Sequence, residues 1–83
     1  MYVIMSFISF GVIEQQVQVH KINNGESEVV DFAYATLGEL GEAFQILSER
    51  YDTKYISLPL NPDIEEELVQ TYGFIIFEEE QEN

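Results

Sequence analysis

Apolar and polar positions change period along the chain, and the changes divide it into elements. Residues 2–10, YVIMSFISF, are apolar on both alternations, which predicts an interior strand covered on two sides. Residues 16–22, QVQVHKI, alternate instead, placing Val17 and Val19 on one face and Gln16, Gln18 and His20 on the other, the pattern of a half-buried strand. The join through residues 11–15 is left open between a turn and a bulge at Gly11. Asn24-Gly25 is a strong hairpin signal, and residues 28–35, EVVDFAYA, supply a third strand.

From residue 36 the period becomes helical. Leu37, Leu40, Phe44, Leu47 and Tyr51 recur at i, i+3, i+7, i+10 and i+14 and align on one stripe. Thr36 with Glu39 matches the Ser/Thr-x-x-Glu capping box and starts this helix at residue 37. KYISLPL, residues 54–60, predicts a strand, with Pro59 near its end where a missing N–H matters least. Asn61-Pro62 reads as an N-cap followed by proline at the first helical position, and Gly73 as a stop, so a second helix is expected over 62–72. Ile64 and Leu68, with Tyr72 beside them, would face the sheet. FIIF, residues 74–77, closes the order β-β-β-α-β-α-β. The expected class is α+β: one domain over 1–77 with a single mixed, mostly antiparallel sheet carrying two helices, and an acidic tail over 78–83.

Composition supports a folded core without covalent staples. The 83 residues are 46% hydrophobic and 13% aromatic, enough for a core near the lower size limit of an independent domain. The absence of cysteine excludes a disulfide framework, a thiolate zinc site and a cysteine nucleophile, and fits a reducing, cytoplasmic location. The apolar N-terminal run has no basic leader and is too short to span a bilayer, so no membrane association is expected.

Charge changes the picture more. Sixteen acidic residues stand against three basic ones, for a formal net charge of −13. Affinity for phosphates comes from Lys and Arg releasing counterions, and only Lys21, Arg50 and Lys54 are available, so direct nucleic-acid binding is not expected. Basic partners would be attracted.

Catalytic chemistry finds little to work with. His20 is the only histidine, on the polar side of its strand, and a surface role is expected for it. Asp63, Glu65, Glu66 and Glu67 could attract Mg²⁺ or Ca²⁺, but consecutive helical residues diverge and no EF-hand spacing is present, so no metal or cofactor is expected. Ser6, Ser9, Ser48 and Ser57 lack any G-x-S-x-G context. Asp31, inside an apolar strand, is expected to face outward.

Residues 29–77 resemble the later half of the GCN5-related N-acetyltransferase fold. The resemblance rests on VVDFAYATLGELGEAFQIL, YISLPLN and LVQTYGF, which follow the family's order of strand, phosphate-cradling turn, helix, strand, helix and Gly-Phe. It implies a truncated form lacking the acceptor side of the family's cleft, and a turn in which backbone N–H groups would hold the pyrophosphate of acetyl-CoA. Gly41 and Ala43 fall on the small-residue positions, but Gly38 stands where Gln or Arg is expected, and Glu39 and Glu42 flank the turn. At an effective dielectric of ~20, a like-charge pair about 4 Å apart costs about 4 kcal/mol before screening. The family's tyrosine general acid would align near Val69, which cannot donate a proton. The turn is therefore expected to keep its helix-starting shape without the cofactor.

The acidic surface remains as the candidate site. Asp63, Glu66 and Gln70 fall on one stripe of the second helix, with Glu67 beside it. Glu39, Glu42 and Glu49 line the solvent side of the first helix, with only Arg50 near, and Glu78, Glu79 and Glu80 extend the field. Such carboxylates can imitate the phosphate rows of a duplex. The favoured expectation is a non-enzymatic inhibitor or regulator of a basic, nucleic-acid-handling protein or nuclease, of the anti-CRISPR or anti-restriction type. The alternatives are an acetyl-CoA-binding remnant or acetyltransferase and a homodimeric structural or interaction module, with Tyr2, Phe7, Phe10 and Tyr55 as candidate interface aromatics, most of them expected to belong to the core instead.

Overall fold

The computed structural model describes residues 1–8 and 14–78; the join between the first two strands and the residues from 79 onward lie outside the described residues. The N-terminal part is a meander of β1 (Tyr2–Ile8), β2 (Glu14–Asn23) and β3 (Glu26–Thr36), paired antiparallel. Asn24 and Gly25 turn β2 into β3 with φ of 52° and 81°, the two left-handed residues a type I′ hairpin needs. Within this hairpin Val19 faces Asp31 while His20 faces Val29, so Val30 is an extra residue, a β-bulge that the alternation of the sequence does not announce.

The chain then enters a 3₁₀ turn, Leu37–Glu39, and continues as α1 (Leu40–Tyr51), β4 (Tyr55–Ile56), α2 (Pro62–Gln70) and β5 (Ile75–Ile76). The five strands form one sheet in the order β3-β2-β1-β4-β5, with β4 parallel to both β1 and β5. The fold is therefore α+β, with the element order read from the sequence. Antiparallel pairing dominates by length, since the parallel contacts are the rung Ile4 to Ile56 and the rungs Tyr55 to Ile75 and Ile56 to Ile76.

β2 and β3 extend beyond the expected 16–22 and 28–35, β5 is shorter than 74–77, and three further boundaries differ for a physical reason. The strand expected over 54–60 is confined to Tyr55–Ile56; beyond it Pro59 offers no N–H to a ladder, and the chain leaves the sheet. The first helix opens as a 3₁₀ turn, which rotates Leu37 off the buried stripe and leaves it 51% exposed, while Leu40, Phe44 and Leu47 point inward as the period requires. The second helix ends at Gln70, and Gly73, with φ of 74°, makes the following reversal.

Both helices contribute to one core over one face of the sheet. Phe44 and Leu68 meet Ile4, Val17, Val19 and Ile56 there, all fully buried, and Phe44 stacks edge-on against Phe74 at 6.0 Å. Asn61 caps α2 through its side-chain oxygen, which accepts from the Asp63 N–H at 2.9 Å. The sequence of β1 predicts cover on both sides, yet helices cover only one: Phe7, on the opposite face, is 44% exposed. No helix among the described residues is long and apolar enough to cross a membrane.

Candidate functional site

The two helices that cover the sheet present the carboxylates singled out in the sequence. Glu42 and Glu49 on α1, Asp63, Glu66 and Glu67 on α2, and Glu39 in the turn before α1 are all exposed, because each helix commits its apolar stripe to the core and leaves its opposite side to solvent. Glu78 follows β5 and is exposed as well; Glu79 and Glu80 lie outside the described residues. Two of these groups are engaged by neutral neighbours. The Thr36 hydroxyl donates to Glu39 Oε1 at 2.7 Å, and the Gln45 amide donates to Glu49 Oε1 at 2.9 Å. The Thr36–Glu39 pair thus joins side chain to side chain, and neither residue caps a backbone N–H as a full capping box would.

None of the three cations relieves this surface. Arg50 Nη1 donates to Asp31 Oδ2 at 2.8 Å, the single ion pair among the described residues, so it is committed away from Glu49. Lys54 sits 4.9 Å from the Phe74 ring centre, with its ammonium 3.4 Å from the Tyr72 carbonyl oxygen, and Lys21 lies opposite Glu28 in the hairpin. The helical carboxylates also stand apart from one another. Among the described residues no group of three or more His, Cys, Asp or Glu side chains converges as a metal site would require. Asp63 and Glu66 are separated by about 4.5 Å along the helix axis, the spacing of a row of charges rather than a chelate.

Beside this surface lies an apolar cavity of about 610 Å³ that sequence reading did not find. It opens where β1 runs on past its single rung with β4 and loses its neighbour. Leu37 just before α1 and Leu40 at its start, Ile64 at the start of α2, and Leu58 and Leu60 from the connecting loop line it on the helical side, and Met5 and Phe7 of β1 on the other. The sequence signal for it was the run LPLNP, which leaves the sheet instead of continuing it. Glu39 and Asp63 flank these wall residues in the chain, so the apolar wall and the carboxylates of both helix starts belong to one side of the molecule.

Asp31 does not face outward as expected. It is opposite the buried Val19, on the helix-covered side, where Arg50 and Tyr51 from the end of α1 both reach its Oδ2. The Arg50 hydrogen bond above all, then those from the Tyr51 hydroxyl and the Phe32 N–H, hold the Asp31 carboxyl below its ordinary pKa. The same bond to Asp31 pushes the Tyr51 hydroxyl up. This clamp ties the edge strand β3 to α1 and is structural. His20 lies on the face away from the helices, hydrogen-bonded to Gln18 at 2.8 Å, and burial lowers its pKa.

Gly38, in the turn before α1, and Gly41, in the first turn of α1, differ in their surroundings. A Cβ on Gly41 would lie 2.8 Å from the Tyr72 ring, whereas one on Gly38 would meet nothing within 4 Å. Helix packing by itself therefore requires the small residue at 41. Val69 is on the outer side of α2, 38% exposed. No protein-family model, curated protein or solved structure matches this chain.

Proposed function

We propose that this protein is a small, non-enzymatic, cytoplasmic binding module that inhibits or regulates a basic protein partner, engaging it through the helical side of the molecule. The observation that carries this reading is the pairing of two features on that side: exposed carboxylates on both helices without a cation partner, and an apolar cavity bounded by the first turns of the same helices. Charge alone would attract any cation. An apolar recess beside it gives a partner's anchoring side chain a place to be desolvated, which is how binding energy concentrates at protein interfaces. The partner would carry Lys or Arg around an apolar anchor. A nucleic-acid-handling protein has such a surface, and the row of carboxylates would occupy its phosphate-binding groove.

The experiment is retention of host proteins on the immobilised chain, eluted separately by rising salt and by duplex DNA. The reading predicts a specific basic protein that is released by both, since screened and competed charges drive its attachment. A retained protein that resists salt and is indifferent to DNA would contradict it.

A further inference from the structure

The face of the sheet away from the helices carries almost no charge, although the chain has a net charge of −13. Register and alternation place Val3, Met5 and Phe7 of β1, Gln16, Gln18 and His20 of β2, Val29, Phe32 and Tyr34 of β3, and Tyr55 of β4 on this side. Of the carboxylates on the described strands, only Glu14, at the margin, shares it. Phe32 and Tyr34 are 55% and 59% exposed and stack edge-on at 5.8 Å. Tyr2, a candidate interface aromatic, instead packs on Tyr51 against the core; Phe10 lies outside the described residues.

The polar groups of this face satisfy one another. His20 Nε2 bonds Gln18 Oε1, the Gln18 amide donates to Gln16 Oε1 at 2.7 Å, and the Gln16 amide donates to the Tyr34 hydroxyl oxygen at 3.2 Å. This run of side-chain hydrogen bonds from His20 to Tyr34 lowers the cost of removing water from the face. The apolar character of β1 on both alternations likewise calls for cover on this side; among the described residues Val3 receives it and is fully buried, while Phe7, Phe32 and Tyr34 stay open.

We propose that a second copy of this chain covers the face, the two sheets packing together with their helical layers outermost. Charge selects this partner. Two copies repel strongly through every other surface, and meeting through this one keeps the carboxylates of the helices on opposite outer sides. The size suffices: strands about 4.8 Å apart and roughly seven residues long give a face of about 500 Å² per copy, or roughly 1,000 Å² in total, the lower bound for a specific interface. Edge-to-edge pairing through β3 is disfavoured by its own features. The bulge at Val30, the Asp31 carboxylate bonded to the Phe32 N–H at 2.8 Å, and Glu26 and Glu28 blunt that edge. This face lies across the sheet from the helical carboxylates and meets the apolar cavity only at Met5 and Phe7, so Phe32→Glu, remote from the cavity, tests the dimer separately from the proposed function.

Sedimentation equilibrium of the full chain tests it. The expected species is a dimer that tightens as salt is raised, opposite in sign to the salt dependence of a basic partner. Phe7→Glu and Phe32→Glu should each weaken it by about tenfold or more, with circular dichroism unchanged. Phe7 lies in the central strand, so its substitution dissociates a face-to-face pair and spares an edge-to-edge one. Glu66→Lys with Glu67→Lys on the outer helical layer should leave the dimer intact. A monomer at all concentrations up to about 100 μM, a dimer that survives both phenylalanine substitutions, or one lost on the glutamate substitutions would overturn the proposal.

Discussion

Gly38 and Gly41 lie on either side of the start of α1 and answer to different constraints. At position 41 a methyl group collides with the Tyr72 ring, an overpacking cost of about 1–3 kcal/mol that outweighs the ~1 kcal/mol alanine gains over glycine in a helix. Gly41→Ala should therefore lower the denaturation midpoint, Gly38→Ala should leave it unchanged or raise it, and the loss at 41 should disappear in a Tyr72→Leu background. Urea unfolding of the four variants measures this. Asp31 supplies a second residue-level prediction. Because the fold holds its carboxyl below the ordinary 3.8, the clamp's contribution is complete above that value and is lost as pH falls through the lower folded one. Tyr51 sets the other limit: its raised hydroxyl keeps the contribution complete below 10.0 and gives it up as pH rises through the folded value. Carbon-detected NMR titration should place the Asp31 midpoint below that of an ordinary aspartate, and Arg50→Gln should move it upward. Neither role was legible in the sequence. The partner of Asp31 is nineteen positions away and the obstacle at Gly41 is Tyr72, from the segment that follows α2, so both depend on tertiary packing.

Elements were more legible than residues. Each was announced by a local signal: Asn24-Gly25 for the hairpin, the Leu40, Phe44 and Leu47 stripe for α1, and Asn61-Pro62 for α2. The signals that failed were those in which local and tertiary demands compete. KYISLPL has strand composition throughout, but only Tyr55 and Ile56 pair as a strand, and the bulge at Val30 leaves no trace in a sequence without a glycine there. The apolar cavity arises from the same early departure of the chain from β4, which is why the pattern alone missed it. The Asn61 cap is the clearest element-level test. Asn61→Ala removes the acceptor for the Asp63 N–H and should cost about 1 kcal/mol, a fall of roughly 4–8 °C in Tm for a domain of this size, while Asn61→Ser should retain most of the stability. Differential scanning calorimetry reads the difference.

At the scale of the molecule the fold separates its surfaces by charge. One side of the sheet is covered by helices whose outer faces are acidic and flank an apolar recess; the other is aromatic, amide-rich and nearly uncharged. The acidic side was legible because helix periodicity assigns an outer face directly, and Glu39, Glu42, Glu49, Asp63, Glu66 and Glu67 all lie where that periodicity put them. The uncharged side was not, since it needs the strand register and the bulge before its members can be named. A chain with sixteen acids and one ion pair among its described residues holds the acidic side together against self-repulsion, at a cost to stability. Reversing charge there should relieve that strain, and Glu67 also lies in the last turn of α2, where a positive side chain suits the helix dipole. The direct test is the variant carrying Asp63→Lys, Glu66→Lys and Glu67→Lys, measured for both thermal midpoint and retention of the basic partner. The account predicts a midpoint that is unchanged or higher together with loss of the partner; a folded variant that still retains the partner would contradict it.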